Sequence, residues 1–130
     1  AGPRAALSAV PGASRAGDVR HFFTVDVEEY FQVVALAPYA PMDRWESFES
    51  RVEASVDALL TLMARHQALG TFFTVGWVAE RHPEMMRRIV AAGHEVASHT
   101  YDHLRITHQS REHFRESVRR TKRIIEDITG

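Results

Sequence analysis

Gly93-His94-Glu95-Val96-Ala97-Ser98-His99-Thr100-Tyr101-Asp102-His103 reads as a short strand, about His94 to Ser98, that breaks into polar residues carrying two histidines four positions apart. On a helical turn that spacing sets Cβ atoms about 5–6 Å apart, so both imidazoles can share one metal ion through bonds of about 2.0–2.1 Å. A carboxylate partner stands upstream. The run His21-Phe22-Phe23-Thr24-Val25-Asp26-Val27-Glu28 reads as a strand ending in two acids two positions apart. Side chains alternate along a strand, which places Asp26 and Glu28 on one face. Two histidines, one carboxylate ligand and a spare carboxylate base are the parts of a hydrolytic metal site. With eight histidines in the chain a bare pair means little. Its setting adds weight, because α/β barrels and open α/β sheets place their chemistry where apolar strands give way to polar residues at their C-terminal ends.

Outward from these two segments, strand and helix patterns alternate, which implies a parallel sheet with crossover helices. Ser47 is a candidate N-cap for a helix whose buried stripe is Phe48, Val52, Val56, Leu59, Leu60 and Met63. Gly70 opens a second strand, Thr71 to Val75, apolar enough to be covered on both faces. Pro83 suits the first position of the next helix and Gly93 its C-terminal cap. Ser110 caps a last helix with Phe114, Val118, Thr121, Ile125 and Ile128 along one side. The stretch from Glu28 to Glu46 is too long for an ordinary connection. Its Tyr30, Phe31, Tyr39 and Trp45 suit either a sugar-stacking surface or a hydrophobic plug. His94 lies at the strand entrance and reads as structural, His108 and His113 as surface residues. Asp102 suits either an acceptor orienting an imidazole or an ordinary turn.

The motifs Phe23-Thr24-Val25-Asp26-Val27-Glu28-Glu29-Tyr30-Phe31, Gly70-Thr71-Phe72-Phe73-Thr74-Val75-Gly76-Trp77 and Gly93 to His103 resemble the polysaccharide deacetylases, or NodB-homology domains. The form Thr-Val-Asp-Val-Glu-Glu-Tyr-Phe is most similar to a bacterial subgroup encoded with exopolysaccharide and exosortase loci. The resemblance implies a hydrolase that removes acetyl groups from N-acetylated glycans, with zinc or another divalent ion as cofactor. It implies that His99 and His103 bind the metal and that Asp26 is the general base. It also implies a distorted (β/α) barrel, of which this α/β chain holds about three β/α units.

Two departures from the family pattern matter. The family's usual second aspartate, a metal ligand, is Val27 here, and valine cannot bind metal. Strand alternation points to Glu28 as the substitute, while Glu29 takes its place if a bulge at the strand end reverses the alternation. The family's arginine, its aromatic sugar groove and its general-acid histidine have no counterpart before Gly130. Residues 21–130 are therefore expected to be the N-terminal portion of such a domain, inactive as given. An amidohydrolase of the same superfamily acting on small amides, and a metal-free glycan-binding pseudoenzyme, are the competing readings.

Composition is that of an ordinary folded domain, with 45% hydrophobic and 25% charged residues. Sixteen basic and seventeen acidic side chains give a net charge near zero, against a dedicated nucleic-acid partner. Arg87-Arg88 and Arg119-Arg120 read as solvated helix faces. Cysteine is absent, so nitrogen and oxygen must supply any metal ligands. No run approaches the roughly 20 apolar residues that span a bilayer. Residues 1–20, rich in Ala, Gly, Pro and Ser, read as a flexible tail rather than a truncated signal peptide, having no unbroken apolar stretch.

Overall fold

The computed structural model describes residues 21–130; the tail expected over residues 1–20 lies outside them. Three parallel strands, β1 (Thr24–Val27), β2 (Thr71–Thr74) and β3 (Glu95–Ser98), form one sheet in the order β1-β2-β3. Between β1 and β2 runs helix α1 (Val52–Arg65). Helices α2 (Gly76–Arg81) and α3 (Pro83–Ala91) join β2 to β3, and α4 (Arg111–Thr129) follows β3. Parallel neighbours joined by right-handed crossovers that always step the same way place their helices on one side of the sheet.

The register shows which side. Val25, Phe72 and Val96 form one row across the sheet, and Val27, Thr74 and Ser98 another. From these two rows Phe72, Val27 and Thr74 are buried, and Val25 and Val96 pack against the core. The alternate row, Asp26-Phe73-Ala97, points the opposite way and is half open, with Asp26 exposed. Beneath the covered rows Met85, Met86 and Ile89 of α3 are fully buried. Each such side chain contributes about 1.5–3 kcal/mol by leaving water.

Several elements differ from the sequence expectation, each for a local reason. Helix α1 begins at Val52 and not after Ser47, because Met42–Ser47 closes as a 3-10 turn in which the Ser47 hydroxyl donates to the Arg44 carbonyl at 2.7 Å. Phe48 thus stays outside the helix and stacks on Phe31, ring centroids 5.1 Å apart. A short helix α2 precedes α3, and the two separate at His82, where the following proline disfavours helical backbone. The buried face of α4 is centred on Ser117, Thr121 and Ile125, with Phe114 and Val118 at its margin.

Those small residues let α4 approach α2 closely. A Cβ on Gly76 would lie 2.4 Å from Thr121 Oγ1 and 2.8 Å from Tyr101 Cδ2, so only glycine fits. The arginines of the helices are not merely solvated. Arg88 bridges from α3 to Glu53 and Asp57 of α1, at 2.7 and 2.9 Å. Arg120 of α4 pairs with Glu80 of α2 at 3.1 Å and stacks on Tyr101.

Candidate metal centre

The sheet register sets the first two members of the site. The last paired row is Val27-Thr74-Ser98, so Glu28, Val75 and His99 stand one residue beyond it, on the same face as Asp26. Two ladder-type bonds extend the sheet this far, Val75 N–H to the Val27 carbonyl at 3.1 Å and His99 N–H to the Thr74 carbonyl at 2.9 Å. Glu28 and His99 therefore lie at the C-terminal rim of the outer strands, with buried Val75 between them.

His103 arrives by another route. The spacing from His99 predicts a helical turn, but the segment is a loop in which Thr100 and His103 adopt left-handed backbone, with φ of 59° and 55°. Such a conformation is a genuine outlier for a β-branched residue. Neighbouring elements hold it in place. The Gly76 and Trp77 amides at the start of α2 donate to the Thr100 and Tyr101 carbonyls at 2.8 and 3.1 Å. The Tyr101 amide donates to Ser117 Oγ at 2.7 Å. The loop brings the His99 and His103 rings to a centroid distance of 4.9 Å.

Glu28, His99 and His103 each offer one ligand atom, and the three atoms lie within 4.8 Å of one another. Nitrogen and oxygen donors in this number suit zinc or another divalent ion. His103 Nδ1 sits 2.9 Å from the Gln32 carbonyl oxygen, which can only accept, so this nitrogen carries the proton. Nε2 is then the nitrogen turned toward Glu28, as in a metal-ligating imidazole steadied by a backbone carbonyl. Nε2 lies 2.9 Å from Glu28 Oε2. At that distance the two would be an ion pair, yet the ring direction misses the oxygen, and the buried Oε2 is left without a hydrogen-bond partner. Direction decides here, because a hydrogen bond weakens steeply with angle. A carboxylate oxygen and an imidazole nitrogen brought this close without a hydrogen bond between them are compatible with a shared cation.

Glu29 goes elsewhere. It is fully buried, and its carboxylate accepts from the Ser50 hydroxyl and, at 3.0 Å, from the Arg51 amide ahead of α1. Asp26 stays exposed on the sheet face below Glu28. Val27 is buried on the opposite side. Asp102 bonds to neither His99 nor His103 among the described residues. Its carboxylate meets His113 Nε2 at 2.6 Å, so that histidine, expected as a plain surface residue, is tied to the loop. His94 is buried, and its Nδ1 accepts from the Gly70 amide at 3.3 Å.

Two clefts border the group. One of about 360 Å³ runs between β1 and α1 and is lined by Asp26, Glu28, Tyr30, Arg51 and Leu59. The other, about 170 Å³, is lined by Gln32, Met42, Trp45, His103 and Leu104. The aromatic segment before α1 serves mainly as a plug. Phe31 and Trp45 are buried with Trp77, while Tyr30 and Tyr39 remain exposed. Gln32, whose carbonyl steadies His103, and Ser50, which anchors Glu29, left no trace in the sequence, since neither a backbone acceptor nor a partner 21 residues away has a local signature.

Comparison with known proteins bears on the family and the fold. The polysaccharide deacetylase family model matches residues 45–130. The peptidoglycan-N-acetylglucosamine deacetylase PgdA of Listeria monocytogenes is 31% identical over 85 residues, which are 65% of this chain and 18% of that protein. A chitooligosaccharide deacetylase of Sinorhizobium fredii is 47% identical over 45 residues, 35% of this chain and 21% of the relative. Among solved structures, a Mycobacterium smegmatis protein provisionally named a polysaccharide deacetylase superposes with a TM-score of 0.67 at 29% identity, covering 84% of this chain and 39% of the other. The chain thus matches well under half the length of each of these proteins. With the matched family model spanning most of the described residues and the strands and helices laid out as in its relatives, this chain belongs to the polysaccharide deacetylase family.

Proposed function

We propose that this chain carries the metal-holding and proton-accepting residues of a carbohydrate N-deacetylase. The reaction would add water across the C–N bond of an N-acetylated sugar, giving acetate and a free amine. The observation that carries this reading is the convergence of Glu28, His99 and His103 around a buried carboxylate oxygen with no hydrogen-bond partner. These three residues would hold a divalent ion, zinc being the ion their donor set suits best. When bound, such an ion supplies Lewis acidity for amide hydrolysis.

The chain's own residues supply the rest. Asp26, on the same face and exposed to the cleft along β1, takes the proton of the attacking water. The Gln32 carbonyl keeps His103 in the tautomer that presents Nε2. The Thr24–Phe31 motif favours an exopolysaccharide as substrate, within the N-acetylated glycans on which the named relatives act.

The test is elemental analysis of the purified full-length protein together with acetate release from an acetylated chitooligosaccharide and from a small non-sugar amide. One divalent ion per chain, lost in Glu28→Gln, and acetate from the glycan alone are expected. A wild-type protein with neither stoichiometric metal nor acetate release would overturn the deacetylase reading in favour of the metal-free one that Val27 suggests. Turnover confined to the small amide would move the protein to another branch of the superfamily.

A further inference from the structure

Glu28 and His103 stand outside the hydrogen-bonded rows of the sheet, and they come from segments 75 residues apart. Something other than strand pairing must hold them together. Gln32 touches both. Its side-chain Oε1 accepts from the Glu29 amide at 2.8 Å and its own amide donates to the Glu29 carbonyl at 2.9 Å, closing a tight turn directly behind Glu28. Its carbonyl accepts from His103 Nδ1 at 2.9 Å. Gln32 and Glu29 are 4% and 0% exposed, so this turn is set in the interior.

The turn is in turn locked to the helices. A carboxylate as buried as that of Glu29 is costly unless its oxygens are satisfied. Ser50 Oγ–H and the Arg51 amide satisfy them. Ser50 Oγ also lies 3.4 Å from His82 Nε2, and His82 Nδ1 lies 3.3 Å from Glu53, which Arg88 bridges. Serine, histidine and glutamate in this order are the parts of a nucleophilic triad. Here the single hydroxyl hydrogen of Ser50 is given to Glu29, so the arrangement works as a brace and not as a nucleophile.

We propose that Gln32 and Ser50 are positioning residues of the candidate metal centre: Gln32 fixes Glu28 and His103 relative to each other, and Ser50 clamps that turn onto α1 and α3. This rests on the reading of Glu28, His99 and His103 as metal ligands. Groups that orient ligands from behind typically account for 10–100-fold in metal affinity.

The experiment uses the full-length protein, wild type and as Gln32→Leu and Ser50→Ala. Zinc affinity is read by competition with a chromophoric chelator, ligand geometry by the visible spectrum of the cobalt(II) form, and folding by thermal melting of the metal-free protein. Gln32→Leu should weaken zinc binding about 10–100-fold and shift the cobalt bands, with Ser50→Ala near the lower end of that range. If Gln32→Leu does not fold, Ser50→Ala, altered at an exposed residue, decides the matter. Wild-type zinc binding with unchanged affinity and spectrum in the folded variants overturns this inference alone. A wild-type protein that takes up no metal overturns the deacetylase reading, and this inference with it.

Discussion

The two faces of the sheet divide the labour of the molecule. On the helix side Val27, Phe72 and Thr74 are buried and carry no chemistry; on the other, Asp26 is exposed and Glu28 and His99 stand at the rim. The same strands supply both sets, residue by alternate residue. Stability and candidate chemistry thus lie one position apart in sequence and on opposite sides in space, and a substitution should affect one without the other.

The largest effect that would sharpen this contrast is at the rim. His99→Ala should abolish stoichiometric zinc in the full-length protein while leaving the melting temperature of the metal-free form nearly unchanged; a large drop in that temperature would break the division. Asp26→Asn comes next. It should keep the metal and lower acetate release about 10²–10⁴-fold, the usual cost of losing a general base, so near-normal turnover would reject the role.

On the covered face the pattern inverts. Phe72→Ala should destabilise the protein by about 3–5 kcal/mol in a denaturant titration while the folded fraction still binds metal with wild-type stoichiometry. Gly76→Ala, at the contact of α2 with α4, should cost about 1–3 kcal/mol through overpacking and should also disturb the histidine loop, whose carbonyls its amide holds. Unchanged stability there would show that the close approach relaxes freely.

The smallest effect is electrostatic. Hydrogen bonding from Arg88 holds the Glu53 carboxyl below its ordinary range. Burial pushes Glu80 up, but donors from Tyr101 and Arg120 outweigh it and the net direction is again downward. Carboxyls lowered in the folded state add stability above their unfolded pKa and lose it as pH falls through the folded value. Arg88→Ala should therefore lose some stability near neutrality, and its stability should fall less steeply than the wild type's as the pH drops below about 4.5. An identical acid profile would show the Arg88 pair to be fully screened.

What could be read from the sequence follows the same line. Period-two alternation was enough to place Asp26 and Glu28 together, because a strand permits only two directions. The choice between Glu28 and Glu29 stayed open, since it depends on Ser50 and Arg51 reaching back to the buried acid. Ser47 has the residue type of a helix cap, but its hydroxyl bonds within a 3-10 turn and α1 starts later. The histidine pair was legible as a pair. Its loop was not, because threonine gives no hint of left-handed backbone, and only the amides of α2 and Ser117 of α4 impose it.

That left-handed Thr100 has a kinetic consequence. A non-glycine residue so placed costs roughly 1–2 kcal/mol, and the hydrogen bonds from α2 and α4 offset this in the metal-free chain. The bend that sets the two rings together is thus completed when the helices dock. A cation taken up by Glu28, His99 and His103 would meet finished geometry, so its capture should be limited by diffusion and by shedding its hydration shell, with no chain rearrangement in the rate.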